Sequence, residues 1–318
     1  MRYLVTGGAG FIGSNTVDEL VRRGHKVTVL DDLSTGKAEN LAKVRGAIEL
    51  TQCSVTDLDK VREACRSVDC VIHLAAQTSV PRSVKDPIET NQINVNGTLN
   101  VLVAARDAKV KRVVFASSCA VYGKRQDLPI RESTPLAPIS PYGISKQVGE
   151  SYGQVFQQLY GLEFVPLRYF NIFGPRQDPS SPYSGVLSLF NSSILAGTQP
   201  TIYGDGEQSR DFVYVGNVVE ANLLAAESKD AAGLAINVGT GIRSTLNQTL
   251  RLLEKITGRP ATAKYVPVRE GDIRDSQADI TLAKQALGYL PRFDFEEGLK
   301  RTWDWFSAGQ HSSESPLA

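Results

Sequence analysis

The chain carries almost no net charge. Its 318 residues include 35 Lys plus Arg and 34 Asp plus Glu, a balance of +1. Nothing draws the whole molecule to nucleic acid or to an anionic membrane, although local basic residues can still hold a phosphorylated small molecule. Cysteine is scarce: Cys53, Cys65, Cys70 and Cys119 are the four, and none forms a Cys-x-x-Cys pair. The three histidines, His25, His73 and His311, add no ligand spacing of the zinc type, so no metal site is expected. Free thiols in a reducing cytosol are the expectation instead, which places the protein in the cytoplasm. No apolar run is long enough to span a bilayer, and Met1-Arg2-Tyr3-Leu4-Val5 enters a strand pattern without a signal-peptide core. There is no internal repeat and no low-complexity tract. With 42% hydrophobic and 22% charged residues, the composition is that of a globular protein of one large or two medium domains.

What is present is a regular alternation. Short apolar runs at 3–6, 26–30, 48–55, 70–75, 112–117 and 164–169 predict strands. Amphipathic stretches at 11–23, 57–66, 87–108 and 142–160 predict helices between them. Alternating strands and helices imply βαβ units, right-handed crossovers and a parallel sheet covered on both faces. The near-continuous apolar run Val113-Val114-Phe115-Ala116 fits a strand buried on both sides. The expected class is α/β, a Rossmann-type doubly wound parallel sheet over residues 1–170. A smaller C-terminal α/β substrate-binding lobe is expected over 171–318, with segments near 211–240 returning to the sheet. Residues 171–182 are rich in Gly, Pro, Asp and Ser and read as a long loop. Short elements follow at 201–203, 212–215, 218–227, 236–238, 245–257 and 279–287, and the polar tail from 310 to 318 reads as frayed.

Two segments carry chemistry. Gly7-Gly8-Ala9-Gly10-Phe11-Ile12-Gly13 follows the first strand and opens the first helix. Glycines there permit a tight turn, close approach of backbone to a pyrophosphate and close helix–strand packing, and the helix N-terminus offers free N–H groups to an anion. Asp31 ends the second strand, about twenty residues on, where a carboxylate accepts from a ribose 2′-OH and repels a 2′-phosphate, so NAD is expected rather than NADP. The second segment is Tyr142-Gly143-Ile144-Ser145-Lys146. A Tyr and a Lys four residues apart on a helix share one face. The ammonium is then expected to bring the phenol within reach of neutral pH as a base.

Many co-linear stretches share one likeness: residues 7–13, LDDLSTG at 30–36, HLAAQTSVPRSVKDP at 73–87, NVNGTLN at 94–100, ASSCAVYG at 116–123 and PYGISK at 141–146. LRYFNIFGPRQDP at 167–179, residues 203–215 and REGD at 269–272 continue it. In these the chain resembles the extended short-chain dehydrogenase/reductase family from Met1 to about Phe306. Within that family it looks like the UDP-hexose 4-epimerases, the UDP-glucose and UDP-N-acetylglucosamine group.

The resemblance implies an NAD site made by Gly7, Gly10, Phe11, Ile12, Gly13, Asp31, Asp32, Ser34, Thr35, Gly36, Ser54 and Val55, and by Leu74, Ala75, Ala76, Gln77, Asn94, Ser117, Tyr142, Lys146 and Tyr169. Ser54 stands where the family has an Asp against the adenine; its hydroxyl can still hydrogen-bond the adenine amino group, more weakly than a carboxylate. The resemblance also implies that Tyr142 is the base, that Lys146 assists it and holds the nicotinamide ribose, and that Ser118 bridges phenol and substrate. Arg210 and Arg269 match the arginines that clamp a UDP diphosphate, Asp272 a ribose ligand and Asn171 a phosphate ligand. Ser276 occupies the position that gates the sugar pocket, and its small size implies room for an N-acetyl group.

The reaction so implied is NAD-dependent 4-epimerisation of a UDP-hexose through a transient 4-keto sugar, with UDP-GlcNAc/UDP-GalNAc and UDP-Glc/UDP-Gal as substrates. The family's 4,6-dehydratases carry an Asp-Glu pair after the Ser/Thr, and its UDP-glucuronate decarboxylases a Glu, whereas Cys119-Ala120 follow Ser118 here. GDP-fucose synthases use a Cys near this place with a His, but no His lies in the loop after Phe170, so Cys119 reads as a small packed residue. UDP-glucuronate 4-epimerase and a non-catalytic NAD or sugar-nucleotide sensor remain as alternatives. The family also implies a homodimer through the helices at 87–108 and 142–160.

Overall fold

The computed structural model describes residues 1–178, 185–268 and 273–311. Its centre is a seven-stranded sheet in which six strands follow one another along the chain up to Tyr169: β1 (Arg2–Thr6), β2 (Lys26–Asp31), β3 (Ile48–Gln52), β4 (Cys70–His73), β5 (Arg112–Ser118) and β6 (Glu163–Tyr169). The seventh strand, Ile236–Val238, comes from far along the chain and pairs with β6. The order is Ile236–Val238, β6, β5, β4, β1, β2, β3, and every neighbouring pair is parallel. The chain therefore winds outward in both directions from β1, the doubly wound arrangement expected from the alternating pattern.

Successive side chains of a strand point to opposite faces, and here both faces are buried. Tyr3 and Val5 enter one hydrophobic core while Leu4 enters the other; Val114 and Val165 join the first, Val113, Phe115 and Phe164 the second. The first core is covered by α1 (Phe11–Arg22) and by the helix Val215–Glu227. The second is covered by α2 (Leu58–Ala64), α5 (Gly97–Asp107) and α6 (Pro141–Tyr160). Close packing of α6 on the sheet depends on small residues: a Cβ on Gly153 would lie 2.1 Å from the Phe164 ring.

The stretch expected as one helix over 87–108 is interrupted. It runs as α4 (Pro87–Asn91), a π-helical turn Gln92–Asn96 and then α5, and a short helix, α3 (Val80–Lys85), precedes it. Asp86 caps α4 by accepting from the Glu89 N–H. The π turn inserts an extra residue into the helical ladder, a device that re-aims side chains and recurs at functional sites. Here it turns Asn94 inward, 2% exposed.

The segment read as a loop from 171 starts instead as a strand. Asn171–Phe173 pairs in parallel with Phe212–Tyr214. Its glycine, proline and serine content comes from later residues, whereas Asn171-Ile172-Phe173 packs Phe173 edge-on against Phe212, at 6.4 Å between ring centres. Two further small pairings complete the smaller lobe, Thr201–Tyr203 with Lys264–Val266 and Ser209–Arg210 with Ser244–Thr245. The helices Val186–Leu195 and Phe295–His311 were not legible as distinct elements in the sequence.

Candidate active site

The strand order reverses between β1 and β4, and in open α/β sheets a ligand crevice forms outside the carboxyl ends at that point. The residues placed there are those of the glycine turn and of 74–77. Gly7 has φ +67°, and a Cβ on it would meet the Ala75 backbone nitrogen at 2.8 Å. A Cβ on Gly13 would lie 2.0 Å from the Gly7 carbonyl oxygen, so α1 enters tightly against the turn only because both are glycine. Gly10 starts α1 without a side-chain cap, which leaves the N–H groups of its first turn, at Phe11, Ile12 and Gly13, turned toward the crevice end of β1.

The second strand ends on Asp31, 6% exposed. Its carboxylate accepts from the Ala9 N–H at 2.9 Å and from the Leu33 N–H at 2.8 Å. Each oxygen keeps a lone pair free for a ribose hydroxyl. Burial pushes the Asp31 carboxyl up, and the two N–H donors oppose that. Gly36 closes the loop where a Cβ would come within 2.7 Å of the Asp31 carboxylate. Asp32 accepts from the backbone and hydroxyl of Ser34, and Ser34 and Thr35 are exposed on the rim. Ser54 accepts from Thr56 Oγ1 at 2.9 Å, and Val55, 3% exposed, keeps a packing role against Gly97.

Beyond β4 a buried polar chain ties this crevice to α6. Leu74 N–H donates to the Thr6 carbonyl and Ala75 N–H to Thr6 Oγ1, and partly buried Ala76 follows. Gln77 N–H donates to Asn94 Oδ1 at 2.8 Å, while Asn94 Nδ2 donates back to the Gln77 carbonyl and across to Ser145 Oγ at 3.0 Å. Ser145 Oγ in turn donates to the Tyr142 carbonyl. The Asn94 amide is thus committed to protein partners that set the start of α6.

Ser140 caps α6 by accepting from the Gly143 N–H, and Pro141 occupies its first position, where no N–H is missed. Tyr142 is 9% exposed and Lys146, one turn on, 4%. Lys146 Nζ donates to the Ala116 carbonyl at 2.7 Å and lies 5.8 Å from the centre of the Tyr142 ring. Ser118 ends β5 and approaches the phenol: burial pushes Tyr142 up to about 12, and a hydrogen bond with Ser118 opposes that. Burial pushes Lys146 down to about 7, and Glu150, a further turn along the helix, opposes that. The sequence led us to expect an ammonium that lowers the phenol. In the folded protein desolvation of both groups works the other way, because each prefers to be neutral in a buried setting.

Sequence reasoning missed what lies beneath this trio. Glu150 pairs with Arg168 at 2.7 Å, and both are nearly fully buried. Ser117 Oγ also donates to Glu150, so its hydroxyl faces the ion pair while neighbouring Ser118 faces the phenol. Arg168 continues to Tyr122 OH, and Tyr122 donates to Asn237 on the seventh strand. The i, i+4 spacing of Lys146 and Glu150 was the only sign in the sequence. Tyr169, next to Arg168, is 6% exposed and donates to Asn222 Oδ1.

The smaller lobe brings three of the expected substrate residues to one place. Asn171 Nδ2 donates to Ser276 Oγ at 3.0 Å and to the Asp211 carbonyl at 3.2 Å. Arg210 Nη1 donates to the carbonyls of Ser209 and Arg274. Cys119, packed on the core, links the two halves: its thiol, pushed up to about 11 by burial, feels the charges of Arg210 and Asp211 and hydrogen-bonds Ser118. Arg269 and Asp272 lie outside the described residues. Among the described residues no cluster of His, Cys, Asp or Glu could hold a metal ion, and no helix is long and apolar enough to cross a membrane.

This arrangement can be set beside known proteins. Residues 3–239 match the model of the NAD dependent epimerase/dehydratase family. The chain belongs to that family. It is 42% identical over 304 residues to a putative UDP-glucose 4-epimerase of Methanocaldococcus jannaschii, covering 95% of this chain and 97% of that one. Among solved structures it resembles a UDP-N-acetylglucosamine 4-epimerase from Methanobrevibacter ruminantium in complex with UDP-N-acetylmuramic acid, with a TM-score of 0.93, 42% identity and coverage of 97% and 98%. It also resembles the UDP-glucose 4-epimerase of Thermus thermophilus in complex with NAD, with a TM-score of 0.88, 40% identity and coverage of 96% and 99%. The glycine turn, the uncapped start of α1 and the paired oxygens of Asp31 fit the dinucleotide that this family uses.

Proposed function

We propose that this family member is an isomerase that interconverts UDP-hexoses at C4, using NAD. The observation that carries the reading is the meeting of Ser118, Tyr142 and Lys146 at the carboxyl ends of the strands beside the glycine turn, with Cys119-Ala120 and no carboxylic acid after Ser118. The glycine turn and Asp31 would hold NAD, which would supply reversible hydride exchange at the sugar C4. Tyr142 takes the proton of the 4-hydroxyl and gives it back, with Ser118 as the hydroxyl between phenol and sugar. Lys146, one turn from the phenol and anchored on the Ala116 carbonyl, would hold the nicotinamide ribose. A residue that can move one proton but has no acid partner for elimination supports epimerisation over dehydration.

Arg210 and Arg269 clamp the diphosphate, Asn171 contacts the phosphate and Asp272 the uridine ribose. Guanidinium forks suit phosphate oxygens. Ser276, small and hydrogen-bonded to Asn171, supports a pocket that admits UDP-GlcNAc and UDP-GalNAc as well as UDP-Glc and UDP-Gal. The free state of all four cysteines supports a cytoplasmic site of action. A homodimer is supported by an exposed apolar stripe: Val84, Ile88, Ile144, Val155 and Leu159 are 45% to 71% exposed along α3, α4 and α6, which pack side by side. A second copy of the same helices would cover that stripe.

The test is direct. Purified protein incubated with UDP-GlcNAc, UDP-Glc or UDP-glucuronate is followed for the 4-epimer by chromatography or NMR. Conversion of a UDP-hexose supports the reading; conversion of UDP-glucuronate alone replaces the substrate; conversion of none refutes it.

A further inference from the structure

Arg210, Asn171 and Ser276 come from three separate segments, and one residue holds all three segments. Asp211 is 0% exposed and every polar atom it has is engaged. Its N–H donates to the Ser276 carbonyl at 2.9 Å. Its carbonyl accepts from both the backbone and the side-chain amide of Asn171, each at 3.2 Å. One carboxylate oxygen accepts from Thr240 N–H at 2.8 Å and Thr240 Oγ1 at 2.6 Å; the other accepts from Gly241 N–H at 3.0 Å and Ala278 N–H at 3.1 Å. Four donors aimed at two oxygens are fully satisfied only by the ionised acceptor. The joint leaves no slack: a Cβ on Gly239 would meet Ala278 Cβ at 2.5 Å and an Asp211 carboxylate oxygen at 2.8 Å.

We propose that Asp211 is the positioning residue of the substrate pocket, setting Arg210, Asn171 and Ser276 in register with the nucleoside diphosphate sugar. This rests on the reading of those three as substrate-binding. The carboxylate spans the turn after the seventh strand and residues 276–278, while the main chain of the same residue carries Asn171 and adjoins Arg210. A shift of this joint moves the diphosphate clamp relative to Tyr142 without touching the glycine turn, whose contacts run through Thr6, Asp31 and Ala75. Asp211 therefore acts on the binding of the sugar nucleotide and not on the proton or the cofactor.

The test is D211N, which keeps size but turns an acceptor into a donor facing N–H groups, together with T240V, which removes one of the four hydrogen bonds. Expected are a rise in KM for the UDP-sugar of about 30-fold for D211N and about fivefold for T240V, kcat within about threefold, and unchanged NAD content. A merely structural Asp211 would lower the melting temperature while leaving KM of the folded fraction unchanged, and that result overturns the proposal. Loss of kcat at constant KM overturns it as well. If D211N does not fold, T240V decides by the same criterion. R210A and N171A are the controls: if neither raises KM, the substrate reading itself fails; if both do and the joint variants do not, only the role of Asp211 fails.

Discussion

Replacing Lys146 by Met removes a buried ammonium and leaves an unbranched chain of similar reach. Burial lowers the Lys146 pKa from 10.5 to about 7, so the folded protein gives up a proton that the unfolded chain keeps. Between about pH 7 and about pH 10.5 the unfolded state binds more protons, and stability therefore rises with pH across that window. Relative to a side chain neutral in both states, the cost is about 4 kcal/mol at pH 7 and about 2 kcal/mol at pH 9, from ~1.4 kcal/mol for each pKa unit. The wild type should thus gain about 2 kcal/mol between those two pH values that Lys146→Met does not gain, or about 3 °C in melting temperature for a chain of this size. Thermal melts of nucleotide-free protein over this range measure it, because other titrating groups cancel in the difference between the two proteins. Equal pH slopes for wild type and variant would refute the argument that Lys146 is desolvated at the site.

Tyr142→Phe should lower kcat by about 10² to 10⁴ while the purified protein keeps its NAD, read from nucleotide released on denaturation; near-normal turnover would show that the phenol is not the base. Ser276→Tyr fills the space beside Asn171, and should lower kcat/KM for UDP-GlcNAc relative to UDP-Glc by about 10- to 200-fold, measured with the two substrates in parallel; an unchanged ratio would remove Ser276 from the sugar pocket. Ile88→Glu combined with Leu159→Glu puts charges on residues that are 71% and 67% exposed. It should convert a dimer to a monomer by light scattering with little change in fold, whereas a wild type already monomeric would remove the helical stripe from consideration.

The buried Arg168–Glu150 pair explains why α6 and the sheet are joined as they are. Removing one member of such a pair strands the other charge, at a cost of about 3–5 kcal/mol. Its partners come from α6, β5, β6 and the seventh strand, so the trio of Ser118, Tyr142 and Lys146 sits on a polar platform and not on loose loops. Neither Glu150 nor Arg168 was recognised in the sequence, because a charged residue in a helix or strand looks the same whether it faces water or a buried partner.

Local rules carried much of the rest. The glycine turn, the acid at the end of β2 and the Tyr-x-x-x-Lys spacing depend on neighbours within one strand–turn–helix unit or one helical turn, so they are visible in the chain itself. The boundaries that failed were those decided from outside the segment. The helix expected over 87–108 breaks at a π turn because Asn94 must reach Gln77 and Ser145. The loop expected from 171 begins as a strand because Phe212–Tyr214, about forty residues on, lies beside it.

By itself, then, the sequence determined the class of sheet, the glycine turn that opens α1 and the shared helical face of Tyr142 and Lys146, all matters of short-range geometry. Tertiary structure alone decided which faces of α4 and α6 are bare and that burial raises Tyr142 while lowering Lys146. It also decided that Asp211 ties together the segments of Asn171, Thr240 and Ser276. Desolvation and long-range hydrogen bonding depend on what surrounds a group in space, and residues far apart along the chain supply those surroundings only once it has folded.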